Sequence, residues 1–239
     1  MKVLVTRPLE DAGEIARKLL IHGHEALAVP ILATRYWDGA PLSLDGVQAI
    51  LATSANGVRA LVRRTERRDV PVFAVGPQTT AMAEEAGFVS VRNADGDAKK
   101  LAEATVLWAK PEAGSLLHVH GGQGAGALAA GLRDKGFSVR EEVLYEVVPQ
   151  LLAAEAITAL RDGAIGAALF FSPRSAALFR EQAHQHALPT AGVIAICISP
   201  AAAAALAPLI FGEIRIAAEP NQAALLACLE QPATPTTQG

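Results

Sequence analysis

Residues 167–175 read Ala167-Ala168-Leu169-Phe170-Phe171-Ser172-Pro173-Arg174-Ser175. Five apolar residues in unbroken succession predict a parallel strand buried on both faces, because a half-exposed strand would alternate. Ser172 stands where that strand ends. A serine there caps a helix by accepting from its free N–H groups. Pro173 fits just inside, where its missing N–H would be unpaired anyway. Strand, turn and helix in this order form the repeating unit of an α/β fold.

Outward from this stretch the same pattern recurs. Strand candidates lie at 2–6, 25–29, 47–53, 70–75, 89–92, 116–120, 138–143, 167–171, 193–198 and 213–217. Segments between them carry apolar residues at helical spacing, as at Ile15, Leu19 and Leu20. Leu128 and Leu132 do the same, with Gly136 suited to the C-cap that follows. Alternating strands and helices predict parallel sheets covered on both faces.

The chain also repeats itself. Ala52-Thr53-Ser54-Ala55-Asn56-Gly57 parallels Phe170-Phe171-Ser172-Pro173-Arg174-Ser175. Ala74-Val75-Gly76-Pro77 parallels Cys197-Ile198-Ser199-Pro200. Val3-Leu4-Val5 leads to Gly23 as Leu117-His118-Val119 leads to Gly136. The offsets are 118 and 123 positions for the first two pairs and 113 for Leu4 to Leu117 and Gly23 to Gly136, so they grow slowly along the chain. Short loop insertions in a duplicated unit produce such growth; chance similarity among α/β segments is the alternative. Duplication predicts two similar doubly wound parallel-sheet lobes with a cleft between them, a preferred place for small molecules.

Two β-rich segments, 31–37 after Pro30 and 141–148 before Pro149, suit crossovers between the lobes. They hold the only tyrosines, Tyr36 and Tyr145. Crossovers there put residues 1–31 and 149–230 in one lobe and 38–141 in the other, with 32–37 and 142–148 as connectors. The Pro/Thr-rich tail, 232–239, is expected to be disordered.

Composition narrows the function. With 51% hydrophobic residues and a net charge of -3 from 21 basic and 24 acidic side chains, the chain is neither disordered nor marked for nucleic acid. An anionic ligand must then be held by local groups rather than by a general field. Cys197 and Cys228 show no CxxC spacing and read as buried packing residues. Arg7 and Pro8 interrupt the first apolar stretch too early for a signal peptide. No run approaches the ~18–20 apolar residues that span a bilayer. A cytoplasmic protein with no membrane partner is expected.

The strand-to-helix turns are the candidate binding groups. The N–H groups that Ser54 and Ser172 can cap can also hold a carboxylate or phosphate. In open α/β sheets, ligands sit at the carboxyl ends of strands. Any one turn alone reads first as a plain cap; several such turns together point to a ligand. Gly76-Pro77-Gln78-Thr79-Thr80 adds two hydroxyls and a glycine for close backbone approach. Its counterpart, Ser199-Pro200-Ala201-Ala202, has lost the threonines. Arg7 and Arg174 suit carboxylate forks or surface ion pairs. Tyr145 can donate to a leaving group or simply pack.

Other motifs fall short. His120-Gly121-Gly122-Gln123-Gly124-Ala125-Gly126 formally fits a dinucleotide fingerprint, with Glu142 lying 18 residues after Gly124. Its later glycines fall where a helix should already run, so an NAD-dependent reading is weak. No P-loop is present. His118 and His120 share one strand face, yet no flanking carboxylate cluster completes a metal site. No serine lies in a GxSxG elbow.

Taken in order, several short motifs make the chain resemble the uroporphyrinogen-III synthase family over roughly residues 1–230. They are Val5-Thr6-Arg7-Pro8, the strand ending at Pro30, Thr53-Ser54-Ala55-Asn56-Gly57-Val58 and Ala74-Val75-Gly76-Pro77-Gln78-Thr79. Gly121 before a helix and Gly136, Val143-Leu144-Tyr145-Glu146, Phe170-Phe171-Ser172-Pro173-Arg174 and Glu219-Pro220 complete the set. The resemblance implies two α/β lobes joined by a two-stranded connector. It implies cyclisation of hydroxymethylbilane with loss of water and inversion of the fourth pyrrole, by a monomer using no cofactor and no metal. Tyr145 matches the family's tyrosine, which assists loss of the hydroxyl. Arg7, Ser54, Asn56, Gly76, Thr79, His120, Gly121, Ser172, Pro173, Arg174 and Ser199 are expected to bind substrate. Two departures stand out. Ser199-Pro200-Ala201-Ala202 replaces the usual Gly-x-x-Thr, and His120 stands where the family often has Arg. A His120 that meets a carboxylate would bind it better when protonated, below roughly pH 6.5. The altered 199–202 turn motivates an alternative, a non-catalytic two-lobed binding module for a polyanionic small molecule.

Overall fold

A computed structural model of the chain describes residues 1–122 and 126–231. The first part of the chain forms β1 (Lys2–Val5), α1 (Leu9–Ile21), β2 (Glu25–Ala28) and β3 (Leu32–Tyr36). The middle forms β4 (Val47–Ala52), α2 (Ala55–Val62), β5 (Val72–Ala74), α3 (Pro77–Glu85), β6 (Val91–Asn93) and α4 (Ala98–Trp108). It continues with β7 (Ser115–His120), α5 (Gly126–Arg133) and β8 (Val139–Val143). The last part forms β9 (Tyr145–Pro149), α6 (Ala154–Arg161), β10 (Ile165–Phe170), α7 (Pro173–Gln185), β11 (Ile194–Cys197), α8 (Pro200–Ala204), β12 (Glu213–Ile216) and α9 (Gln222–Ala227). All ten expected strands are present, each end within two residues of its sequence estimate. Gly124 of the glycine run and the 232–239 tail lie outside the described residues.

Contacts divide the chain into two units: Met1–Ala33 with the chain from Val148 onward, and Thr34–Val147. The first holds a parallel sheet in the order β12-β11-β10-β1-β2, the second one in the order β6-β5-β4-β7-β8. Matching them position by position pairs β10 with β4, β11 with β5 and β1 with β7. The internal repeat read from the sequence pairs the same strands. The chain crosses between units through β3 and β9, a two-stranded sheet. Trp37 N–H donates to Leu144 O and Gln150 N–H to Ile31 O, both at 2.8 Å, so the two strands run antiparallel.

Each sheet is covered on both faces, which explains its uninterrupted apolar strands. In β10, Ala168 and Phe170 point into one cluster with Leu4, Phe179 and Leu206. Ala167 and Leu169 point to the other side, with Val3, Ile15 and Leu225. The second sheet repeats this. Ile50, Ala52 and Val119 face Val58 and Leu61 of α2, while Ala49, Leu51 and Leu116 face Leu128 and Leu132 of α5. Burying each Leu or Phe fully is worth roughly 1.5–3 kcal/mol, so these clusters fix which strand ends carry turns. Both cysteines are buried, as expected. Among the described residues, no helix is long and apolar enough to cross a membrane.

Candidate functional site

In the Thr34–Val147 unit, β4 hands over to α2 at Ser54. Its backbone is extended (φ -160°, ψ 156°), and its Oγ accepts from Gly57 N–H at 3.0 Å. This is the cap the sequence predicts. The same Oγ also lies 2.7 Å from the phenol oxygen of Tyr145, at the start of β9. Tyr145 is only 8% exposed and packs in the cluster of Val58, Leu61, Val119 and Leu144. Gly121 lies against its ring: a Cβ there would stand 2.6 Å from Cε2 and 2.8 Å from Cζ. No real Cβ tolerates such contacts, so Gly121 is needed for the ring to lie where it does. Gly57 serves the same docking, since a Cβ there would come within 3.1 Å of the Val119 carbonyl oxygen.

The other turn residues of this unit are engaged in different ways. Asn56 donates to Thr34 Oγ1 at 3.0 Å and accepts from Arg59 at 2.7 Å, tying α2 to β3. Gly76 caps α3 without a side chain, in extended backbone (φ -166°). A Cβ at Gly76 would meet nothing nearer than Gly96 O at 3.9 Å, so the protein's own packing does not require glycine. Thr79 is buried in the first turn of α3, and Thr80 Oγ1 donates to Gly76 O at 3.1 Å.

One finding corrects the sequence reading. His118 and His120 do acquire a carboxylate, that of Glu141. Parallel pairing sets His118 beside Glu141, and ligating atoms of the three residues lie within 4.8 Å of one another. Two imidazoles and a carboxylate are ligand types that suit zinc. The bonding around them is as follows. His120 Nδ1 accepts from Gly122 N–H at 3.0 Å, which assigns the ring proton to Nε2. Nε2 then faces Glu141 at 3.9 Å, and Glu141 takes Arg133 at 2.8 Å. Arg133 is on Glu141 Oε2, while the 3.9 Å approach of His120 is to Oε1 and is longer than a hydrogen bond. His118 is fully buried, and neither ring nitrogen finds a partner among the described residues. Burial pulls its pKa down to about 4; His120 adds to that and Glu141 opposes it. Burial lowers His120 as well, against Glu141. His118 is therefore neutral at pH 7.

In the other unit, four neighbouring strands end in turns. After β1, Thr6 Oγ1 donates to Leu169 O at 2.7 Å and locks the end of β1 to β10. Arg7 follows, donating to Gln222 at 3.2 Å with its guanidinium 5.0 Å from the centre of the Phe171 ring. After β10, Ser172 (φ -162°, ψ 156°) accepts from Ser175 N–H at 3.1 Å. Pro173 and Arg174 stand on the first turn of α7. After β11, Ser199 accepts from Ala202 N–H at 3.3 Å, and Ala202 is fully buried. After β12, Asn221 caps α9 by accepting from Ala224 N–H at 2.9 Å.

The family model for uroporphyrinogen-III synthase HemD matches residues 13–227. Among solved structures, a uroporphyrinogen-III synthetase from Helicobacter pylori is similar with a TM-score of 0.64 at 17% identity, covering 96% of this chain and 98% of that one. A mutant uroporphyrinogen III synthase from Thermus thermophilus gives a TM-score of 0.48 at 18% identity, covering 96% and 97%. The first likeness shows a shared fold, with the two parallel sheets and the two-stranded sheet expected from the sequence. No curated protein matches the chain.

Proposed function

We propose, since this chain belongs to the uroporphyrinogen-III synthase family, that Tyr145 donates to the departing hydroxyl of the substrate and that the strand-end turns hold its carboxylates. The family activity is formation of uroporphyrinogen III from a linear tetrapyrrole, a lyase reaction of haem biosynthesis. In our reading the substrate is hydroxymethylbilane, the leaving group is water, and the fourth pyrrole inverts before the ring closes. Left alone, this bilane closes to the uninverted isomer. The protein's task is therefore to hold reacting carbons in the arrangement that gives the other product.

One observation carries the assignment to Tyr145: its phenol is held at 2.7 Å by Ser54 and its ring is seated on Gly121. A fixed O–H donor of this kind is what general acid assistance needs. The substrate carries eight carboxylates on acetate and propionate arms. Free N–H groups and small hydroxyls at helix starts suit them. We assign these contacts to Arg7, Ser172, Pro173, Arg174 and Ser199 in one unit and to Asn56, Gly76, Thr79 and Gly121 in the other. Ser54 sets the phenol. His120, through its Nδ1 bond to Gly122, holds the turn that contains Gly121. Ser199 is the least committed contact, because its hydroxyl caps a helix of only 5 residues.

The test is direct. Purified protein given hydroxymethylbilane should yield mainly the III isomer. Isomer I alone, at the spontaneous rate, overturns the reading. The working unit we propose is a single chain, which sedimentation at assay concentration checks.

A further inference from the structure

We infer that Ser54 is a positioning residue whose hydroxyl donates to the Tyr145 phenol oxygen, so that the tyrosine's own proton is free for the leaving hydroxyl and the resulting phenolate is stabilised. This rests on the role proposed above for Tyr145.

The inference follows from counting protons at two oxygens. A serine oxygen has one proton and two lone pairs. One lone pair of Ser54 is taken by Gly57 N–H at 3.0 Å. The 2.7 Å contact with Tyr145 can then run in either direction. If Tyr145 donates to Ser54, its single proton is spent inside the protein and it has nothing to give. If Ser54 donates to Tyr145, the phenol keeps its O–H for the substrate. The hydrogen-bond chain then runs from Gly57 N–H to Ser54 and on to Tyr145.

That chain strengthens as the reaction proceeds. The Tyr145 O–H bond breaks and its proton passes to the departing hydroxyl. The C–O bond breaks with its electron pair going to oxygen, so water leaves. The carbon left behind is a cation shared with its pyrrole nitrogen, and Tyr145 becomes a phenolate. When the new carbon–carbon bond closes the ring, the attacked pyrrole carbon releases one proton, which restores the phenol. In between, the Ser54 O–H bond to a phenolate is charge-assisted and stronger than its bond to a phenol. Ser54 is itself polarised by accepting from the first turn of α2, where the helix presents positive partial charge. Two glycines keep the geometry: Gly57 lets α2 approach the end of β7, and Gly121 gives the ring its place.

The counterpart turn lacks this arrangement. Ser172 has the same backbone conformation, but its hydroxyl donates to Ser175 Oγ at 3.1 Å, which donates back to Ser172 O at 2.9 Å, so the bonds close within the turn.

The experiment is a double-mutant cycle on the full chain, read as initial rates of isomer III formation with kcat and KM separated. Ser54→Ala should lower kcat about tenfold with little change in KM. In the Tyr145→Phe background the same change should cost less than twofold, because no phenolate remains to stabilise. Ser54→Thr, which keeps the hydroxyl, should recover most of the loss. A plain helix-cap role would lower the melting temperature equally in both backgrounds and leave kcat untouched by the cycle. Equal kcat losses in both backgrounds, or a loss confined to KM, overturns the inference while leaving Tyr145 in place. A Tyr145→Phe variant with unchanged kcat instead sinks the parent reading. If Ser54→Ala does not fold, Ser54→Gly, which costs a cap only a few tenths of a kcal/mol, carries the same comparison.

Discussion

The turn at Ser54 and the turn at Ser172 are the same piece of backbone used twice. Their φ and ψ agree within a few degrees: -160° and 156° against -162° and 156°. Each serine accepts from the N–H three residues on. The difference lies in the second partner. Ser54 reaches a phenol 91 positions away, whereas Ser172 closes on Ser175, its neighbour in the same turn. The capped turn thus recurs in both units. The chemistry comes from what the rest of one unit brings to it.

Four changes would break or sharpen this comparison. The largest effect should come from Gly121→Val, which puts a side chain where the Tyr145 ring lies. Isomer III formation should fall about a hundredfold through misplacement of the phenol, with overpacking costing ~1–3 kcal/mol in denaturant titration. Activity near wild type would show that the ring can move without consequence. Next is Tyr145→Phe, which leaves the Ser54 turn with only its cap, like its counterpart. The kcat should drop roughly 10- to 100-fold, no more than the lower range of general acid catalysis, because positioning still operates.

The third prediction concerns β7, which carries His118 where its counterpart β1 carries Val5. The buried His118 has a pKa of about 4, against 6.5 for an ordinary imidazole. Below pH 6.5 the unfolded chain takes up a proton that the folded one refuses. Stability from this group is therefore complete above pH 6.5 and is lost as the pH falls toward 4. The loss totals about 3 kcal/mol. Urea titrations at pH 7 and 4.5 should show most of it, and His118→Leu should flatten the slope. An unchanged slope in that variant would remove His118 as the cause. The smallest effect should be that of Ser172→Ala. A lost cap costs about 1 kcal/mol, which in a chain of this size lowers the melting temperature by roughly 2–4 °C. The rate should change through KM rather than kcat.

Local features were legible in the sequence because their causes are local. The run 167–171 announces a strand covered twice, and Ser54 and Ser172 announce caps that need only the next turn. The likeness of the two halves was also readable, because the paired segments keep nearly constant spacing. What could not be read depends on distant pairing. Glu141 joins His118 only because β7 and β8 run side by side in one register. Gly121 looks like a turn glycine until the Tyr145 ring is laid on it. Gly76 shows the reverse: it invites a reading of close backbone approach, yet the protein's own atoms leave room for a Cβ.

The order β12-β11-β10-β1-β2 has a consequence for synthesis. The unit spanning Thr34–Val147 is one uninterrupted stretch and can fold as soon as it clears the ribosome. Its sister cannot. β1 and β2 come early and pair with each other, but β1 finds its second partner, β10, only after everything from β3 to α6 has been translated. Until then the apolar strand Val3-Leu4-Val5 has only β2 beside it and one edge unpaired, a nascent segment for chaperones to shield.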